Sequence, residues 1–456
     1  MLQTASLSSG AGLAQRDVRL ELVMVKTNKT NDLDGLHDSV MPRDHANVGK
    51  VTRPNNALIQ RQGGNQVSIG QYNERLILSL LRTGGGLTKA ELARRTSLTA
   101  QTITVIVNRL ETRGLVIAGD KQRGQVGQPR TPYHLNPHGV VTIGIKIGRR
   151  QLDYLAMGFD GSILARETFR LGHPLPKDIM GKLAETLPNF VANLPDNLRQ
   201  NLIGFGVAMP NDLSSWETII GVESGALAGW DDIDICAEIE AITGYSAQVM
   251  NDVTAACLAE LNFGIGNQYR DFLYIYVGSL IGGGLVLDHQ LQIGRRGYAA
   301  ALGPMALSVS QGSNADAAPD MLLDKASLIT LENGFAEAGL DRGITCRDNV
   351  FTGAYQDIFQ SWLDEASNTI AFSIINSAAI LELDAVIIDA AIAPENLSHL
   401  IDAIKIKLTE YRKEGLYMPD ILEGTRGYDA RVLGGAFLPI STHYAADNSR
   451  LVKEQL

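Results

Sequence analysis

The sequence predicts an α/β protein in two parts, a small basic helical module followed by a larger acidic body. Three observations carry that prediction. Apolar residues recur at helical spacing from Asn73 to Arg113, and after Pro137-His138-Gly139 the pattern becomes alternating strands and helices. The charge divides at the same place. Residues 1–139 carry 18 Lys and Arg against 10 Asp and Glu, a net of +8, whereas residues 140–456 carry 22 against 40, a net of −18. Finally, 456 residues of which 45% are hydrophobic suffice for two or three domains with a true core.

Composition excludes several classes. Mean hydropathy is near zero, and no run approaches the ~20 apolar residues that span a bilayer. Cys236, Cys257 and Cys346 are too few and too scattered for a disulfide framework or a cysteine-rich zinc site. That usage fits a reducing cytosol, so a cytoplasmic protein is expected. The net charge of −10 argues against a nucleic-acid partner only until it is split, because a basic end on an acidic body is the asymmetry of a nucleic-acid reader fused to another domain. Residues 1–70 are rich in Asn, Asp, Gly, Gln and Thr and are expected to be poorly ordered, as a tail or in part a start-codon artefact. They contain no apolar run of the length a signal peptide needs.

The module is expected over residues 71–137. Leu76, Ile77, Leu80 and Leu81 read as an amphipathic helix ended by Gly84-Gly85-Gly86. Thr88 stands three residues before Glu91, the spacing of a capping box, and opens a short helix. Ser97-Leu98-Thr99 makes a turn, and a third helix runs from Ala100 to about Arg113 with Ile103, Ile106, Val107 and Leu110 inward and Gly114 beyond its end. Helix, short helix, turn, longer helix is the helix-turn-helix order, whose last helix enters the major groove. Its outward residues are Ala100, Gln101, Thr104, Val105 and Asn108, and Thr102 joins them as a candidate DNA contact. Gln and Asn amides pair with an adenine edge, and small apolar groups meet a thymine methyl. Leu115-Val116-Ile117 and Tyr133-His134-Leu135 read as two strands of a wing. The acid-free stretch Lys121 to Arg130 between them offers Arg123 and Arg130 to phosphates or a minor groove. A trihelical protein-docking module would bury the same generic core.

In the body, Val140 to Ile147 and Leu152 to Phe159 read as apolar strands, Asp160-Gly161 as a hairpin turn, and Ser162 to Arg170 as a third strand. A helix near Ile179 to Asn193, a strand at Leu202 to Ala208 and a helix at Cys236 to Thr243 follow. A strand at Ala247 to Met250 then delivers Asn251-Asp252 to the start of a helix over Thr254 to Phe263. Strands at Phe272 to Val277 and Leu285 to Leu287 and helices over Phe351 to Leu381 complete a pattern of two similar lobes around a cleft.

The anchors Gly204-Phe205-Gly206-Val207-Ala208-Met209-Pro210, Gly229-Trp230, Thr243-Gly244, Asn251-Asp252-Val253-Thr254-Ala255-Ala256, Gly282-Gly283-Gly284 and Gly294-Arg295-Arg296-Gly297 are each weak, but their order and spacing are specific. In them the chain resembles the ROK family (repressors, open reading frames, kinases) over residues 70–440. The resemblance implies a two-lobed actin-like, ribonuclease-H-like sugar-kinase fold, and the upstream helix-turn-helix matches the family's repressor branch. The expected organisation is thus residues 1–70, a winged helix-turn-helix at 71–137, the body at 140–440 and a tail at 441–456.

The family's chemistry is altered at several positions. Asp252 aligns with the catalytic Asp and Asn251 with its sugar-binding neighbour, so both are candidate ligand contacts, Asp252 also being read as the cap of the helix at Thr254. Where the kinases begin with an Asp and a Gly-Gly-Thr turn, this chain has Lys146-Ile147-Gly148-Arg149-Arg150. The second phosphate turn reads Gly278-Ser279-Leu280-Ile281-Gly282-Gly283, and the late glycine pair is Asp389-Ala390-Ala391. The family's sugar-binding Glu falls on Ala301, its zinc or sugar His on Pro304, and a further sugar-contacting Glu on Leu323. Its cysteine zinc loop falls on residues 314–321, where Asn314, Asp316 and Asp320 read as a solvated acidic turn. No catalytic residue, metal or cofactor is expected. The expected function is a DNA-binding regulator, a repressor of carbohydrate-related genes. Its partners would be an operator duplex, a sugar or sugar-derived effector, and further copies of itself in a homodimer or homotetramer. The alternatives are an active sugar kinase with an accessory DNA-binding module and a ligand-independent docking factor.

Overall fold

The computed structural model describes residues 66–121, 130–309, 319–346 and 349–446. The first 65 residues, Arg123 of the wing, and Asn314 and Asp316 lie outside the described residues.

The module opens with α1 (Gln66–Gly84), β1 (Leu87–Thr88), α2 (Lys89–Thr96) and α3 (Ala100–Thr112), and closes with β2 (Val116–Ala118) and β3 (Pro132–Leu135). The first helix starts at Gln66, inside the segment expected to be poorly ordered. Once Ile77, Leu78 and Leu81 anchor it, each added turn needs only backbone bonds and no apolar pattern. The capping box forms as expected. The Thr88 N–H and hydroxyl both donate to Glu91 Oε2, at 2.8 and 2.7 Å, and the Glu91 N–H donates back to Thr88 Oγ1. Ser97 takes a left-handed turn with φ +56° between α2 and α3, and Thr99 caps α3 by accepting from the Thr102 N–H at 3.1 Å. The strands form an antiparallel sheet of order β1-β3-β2, which completes a winged helix-turn-helix.

The body begins with β4 (Val141–Ile147), β5 (Gln151–Gly158), β6 (Ile163–Arg170), α4 (Pro176–Ala192), α5 (Asp196–Arg199), β7 (Leu202–Met209), α6 (Glu217–Ile220), α7 (Ile235–Thr243), β8 (Ala247–Asn251) and α8 (Asp252–Phe263). Its sheet has the order β6-β5-β4-β7-β8, antiparallel through β4 and parallel beyond it. The second half supplies β9 (Phe272–Val277), β10 (Ile281–Leu287), β11 (Gln290–Gln292), α9 (Leu322–Ala326), α10 (Leu328–Glu337), α11 (Ala354–Ala378), β12 (Ala385–Ala390), α12 (Pro394–Leu408), β13 (Asp420–Glu423) and α13 (Ala430–Tyr444). Its sheet repeats the scheme as β11-β10-β9-β12-β13, again a hairpin meander followed by parallel strands. The paired-lobe architecture is therefore as expected, and the central strands are buried along their whole length because both faces are covered.

Three boundaries differ from the sequence reading. Residues 281–284 form strand, not turn. The glycines there make room for α8, since a Cβ at Gly284 would overlap the Cys257 side chain and one at Gly282 would press on Val253. Residues 354–378 form one helix. The last helix runs to Tyr444, four residues into the expected tail, because the Tyr444 ring packs edge-on against Phe159 at 5.0 Å.

Helix α13 lies against the first sheet and crosses α8 with almost no side chain between them. A Cβ at Gly434 would overlap the Ala255 carbonyl, and one at Gly206 on β7 would overlap the Gly435 carbonyl. The same helix joins the module to the body. Ile77, Leu78 and Leu81 of α1 share one core with Phe159 and with Leu433, Phe437 and Leu438 of α13. The Arg82 guanidinium lies 4.9 Å from the Phe437 ring centroid and 5.5 Å from that of Phe159, and burial pulls its pKa down to about 10. No helix among the described residues is long and apolar enough to cross a membrane.

Gly434→Ala is expected to destabilise the chain by about 3 kcal/mol or more, the upper end for core overpacking. Chemical denaturation of the variant beside the parent checks this, and an unchanged midpoint would contradict it.

Candidate nucleic-acid interface and interlobe cleft

The 3.6-residue period sorts α3 into two faces. Ile103, Ile106, Val107 and Leu110 are buried, whereas Ala100, Gln101, Thr104, Val105 and Asn108 are exposed, Val105 by 58%. Thr102 is half-buried, with its hydroxyl 2.8 Å from that of Thr99 at the helix start. The Thr104 hydroxyl donates to the Ala100 carbonyl at 2.8 Å. Asn108 Oδ1 accepts from Lys89 Nζ at 2.8 Å. Arg109 and Arg113 turn back toward the module and pair with Glu74 on α1, Arg113 at 2.9 Å. Arg130 is exposed at the base of the wing. The Thr88 N–H and hydroxyl, with Arg94 and Arg130 nearby, hold the Glu91 carboxyl below its ordinary range.

The cleft between the lobes is lined by a set of internal ion pairs. Asn251 ends β8 and caps α8, with its Oδ1 accepting from the Val253 and Thr254 N–H groups at 3.1 Å each. The sequence reading gave that cap to Asp252. Asp252 is instead the first residue of the helix, and its side chain points across to Arg431 at the start of α13, with Nη1 and Oδ2 3.3 Å apart. The Arg431 guanidinium also lies 4.7 Å from the Tyr276 ring centroid. Lys146 Nζ donates to Asp153 Oδ2 at 2.8 Å inside the first sheet, and burial with Arg431 nearby lowers its pKa. Arg149 and Arg150, in the turn after β4, reach across the cleft to Glu332 on α10; the Arg150 contact is 3.0 Å. The Thr345 hydroxyl donates to the other Glu332 oxygen at 2.6 Å.

These groups leave little room. Lys146, Arg149, Arg150, Ser279, Glu332 and Arg431 line a cavity of about 30 Å³, room for about two water molecules. Leu280, in the second glycine-rich turn, and Ile329 beside it pack into the apolar core of the first lobe. Asp389 closes β12, where the Tyr274 hydroxyl and the Gly427 N–H donate to its Oδ2 at 3.1 and 2.8 Å. Burial, with Glu260 adding, pushes its pKa up to about 6. Ala301 and Pro304 are exposed and Leu323 is half-buried. Among the described residues no group of three or more His, Cys, Asp or Glu side chains is placed to hold a metal ion.

The structure sets Asp252 against Arg431, which lines the cavity, leaves Asn251 as the cap of α8, and puts five of the seven candidate DNA contacts on one helix. It also adds residues the sequence reading passed over. Lys89, Glu332 and Arg431 each act on a partner 19 or more positions away, and no periodicity or local motif marks such a pair.

A model of the ROK family matches residues 142–441 and a MarR-family model matches residues 71–123. The xylose repressor of Bacillus subtilis (strain 168) is 22% identical over 53% of this chain and 62% of its own length. The DNA-binding transcriptional dual regulator NagC of Escherichia coli (strain K12) is 23% identical over 54% of this chain and 59% of its own. The chain thus spans about three fifths of the length of these relatives. Among solved structures, a ROK family transcriptional regulator, a homolog of the E. coli MLC protein, superposes with a TM-score of 0.57 at 18% identity, covering 84% of this chain and 99% of that one. A ROK family glucokinase from Streptomyces griseus gives 0.51 at 17% identity over 65% and 98%. At these identities the structures share the fold.

Glu332→Gln removes a buried carboxylate that pairs with both Arg149 and Arg150 and should cost about 3 kcal/mol or more, as for a buried pair that loses one partner. Denaturant titration reads the loss, and a cost below 1 kcal/mol would deny the pair its role. Asp389 is held neutral more readily in the folded chain than the ordinary value of 3.8 allows. Its contribution is therefore full below pH 3.8 and is lost as the pH rises through about 6. Asp389→Asn, neutral at every pH, should flatten that fall in a thermal-unfolding series across this range.

Proposed function

This chain belongs to the ROK family, and from that premise we propose that it is a DNA-binding transcriptional regulator, a repressor of carbohydrate-related genes. The observation that carries the reading is the exposed outer face of α3 in a winged helix-turn-helix that shares one core with a two-lobed body. Ala100, Gln101, Thr102, Thr104 and Asn108 would read the major groove, and Arg123 and Arg130 would hold phosphates and set the register. The relatives named as a xylose repressor and as the regulator NagC support the same reading.

In this proposal the body senses and does not catalyse. Phosphoryl transfer needs open backbone turns for phosphates and a free base. Here Arg149 and Arg150 occupy the first turn and pair with Glu332, and Asp252 is held by Arg431. A sugar or sugar-derived effector would have to part these pairs, with Asn251 and Asp252 as its contacts. The lobe movement would then pass through α13 to the module. Two modules on a two-fold operator require at least a homodimer. A sugar kinase with an accessory module is the competing reading, favoured by the fold shared with the Streptomyces griseus glucokinase.

Two measurements decide between them. Incubation with ATP and a hexose panel should yield no sugar phosphate, and turnover abolished by Asp252→Ala would establish the kinase. Arg130→Ala should weaken binding to all duplexes alike and reduce the slope of log affinity against log salt by about one. An unchanged slope would remove Arg130 from the phosphate contacts.

A further inference from the structure

Lys89 and Asn108 meet at the outer edge of the winged helix. Lys89 opens α2, where the Thr88–Glu91 capping box fixes its backbone. Its Nζ donates to Asn108 Oδ1 at 2.8 Å and lies 5.1 Å from the centroid of the Tyr133 ring. Tyr133 is brought there by the pairing of β3 with β1, which sets Tyr133 opposite Leu87. The ammonium is therefore steered from two sides, by an amide oxygen and by an aromatic face.

This contact determines which end of the Asn108 amide is left for a ligand. An ammonium has donors only, so the atom turned toward it must be the oxygen, and the NH₂ group faces away. Asn reads adenine by using both ends at once, its oxygen accepting from N6 and its NH₂ donating to N7. An amide whose oxygen is turned to Lys89 presents that paired edge poorly. What Lys89 and Asn108 present together is a set of donors: the Asn108 NH₂ and the remaining N–H groups of Lys89. Guanine is the base whose major-groove edge carries two acceptors, O6 and N7, whereas thymine offers one acceptor and a methyl group.

We propose that Lys89 and Asn108 act as one unit that reads the acceptor-only edge of guanine, with Lys89 the positioning residue that turns the Asn108 amide away from adenine. The proposal rests on the DNA-binding reading of the module and specifies one base of its operator.

The test is selection of bound duplexes from a random-sequence library by the full-length parent, Lys89→Met and Asn108→Ala. Affinities are then measured on the recovered sequence with each base substituted at each position. Thermal unfolding of the variants beside the parent verifies their fold. The parent should prefer guanine at one position by roughly tenfold. Lys89→Met, which keeps the stem but frees the amide, should move that position toward adenine, and Asn108→Ala should lose the preference there while keeping the rest. If Lys89→Met lowers affinity by the same factor for every sequence and leaves each base preference intact, Lys89 is a phosphate contact and the proposal fails while the DNA-binding reading stands. If the parent enriches no sequence at all, the DNA-binding reading itself falls. Asn108→Ala supplies an independent check: guanine preference unchanged at every position overturns the pair even if Lys89→Met does not fold.

Discussion

The close crossing of α8 and α13 is the contact on which the rest of the structure depends. Two helices can approach until backbone meets backbone only where side chains are missing, and Gly434 against the Ala255 backbone supplies that place, while Gly435 against Gly206 does the same between α13 and strand β7. Any larger residue would push α13 off the first sheet. Leu433 and Phe437 would then leave the core that they share with α1, and Arg431 would leave the cleft. One helix thus touches the N-terminal module at one end and the interlobe cavity at the other.

The cleft is held by a different kind of force. Arg149 and Arg150 with Glu332 join the two lobes, and Lys146 with Asp153 and Arg431 with Asp252 are further buried pairs beside them. Such pairs add little net stability, because desolvation offsets most of their attraction, but each is costly to leave half-made. They favour one arrangement of the lobes over neighbouring ones. Leu280 and Ile329 add apolar contact across the same gap. A ligand that entered would have to replace both contributions, so its affinity would carry the cost of opening the cleft.

Much of this was legible in the chain, for local reasons. A capping box is a bond between residues three apart, so Thr88 and Glu91 announced α2 by themselves. The inward face of α3 follows from the helical period, and the chain turns at Asp160-Gly161, with Gly161 in the left-handed region at φ +90°. Reading by local rules also misled in identifiable ways. Gly282 to Gly284 look like a turn because glycine is frequent in turns, yet they are strand residues kept small by the proximity of α8. Asn251 and Asp252 are equally good caps by composition. The path of the strand decides between them by pointing Asn251 along the helix axis and Asp252 toward Arg431.

By itself, then, the sequence determined the elements, their order and the outward face of α3. These properties depend on spacings of two to four residues or on residue identity. Only the tertiary structure decided that Arg149 and Arg150 meet Glu332, that Asp252 meets Arg431, and that Lys89 meets the Asn108 amide oxygen. Each of those contacts joins groups 19 to 183 positions apart along the chain. Their geometry comes from how sheets and helices pack, and a charge in a sequence does not say which opposite charge, or how much water, it will face once the chain has folded.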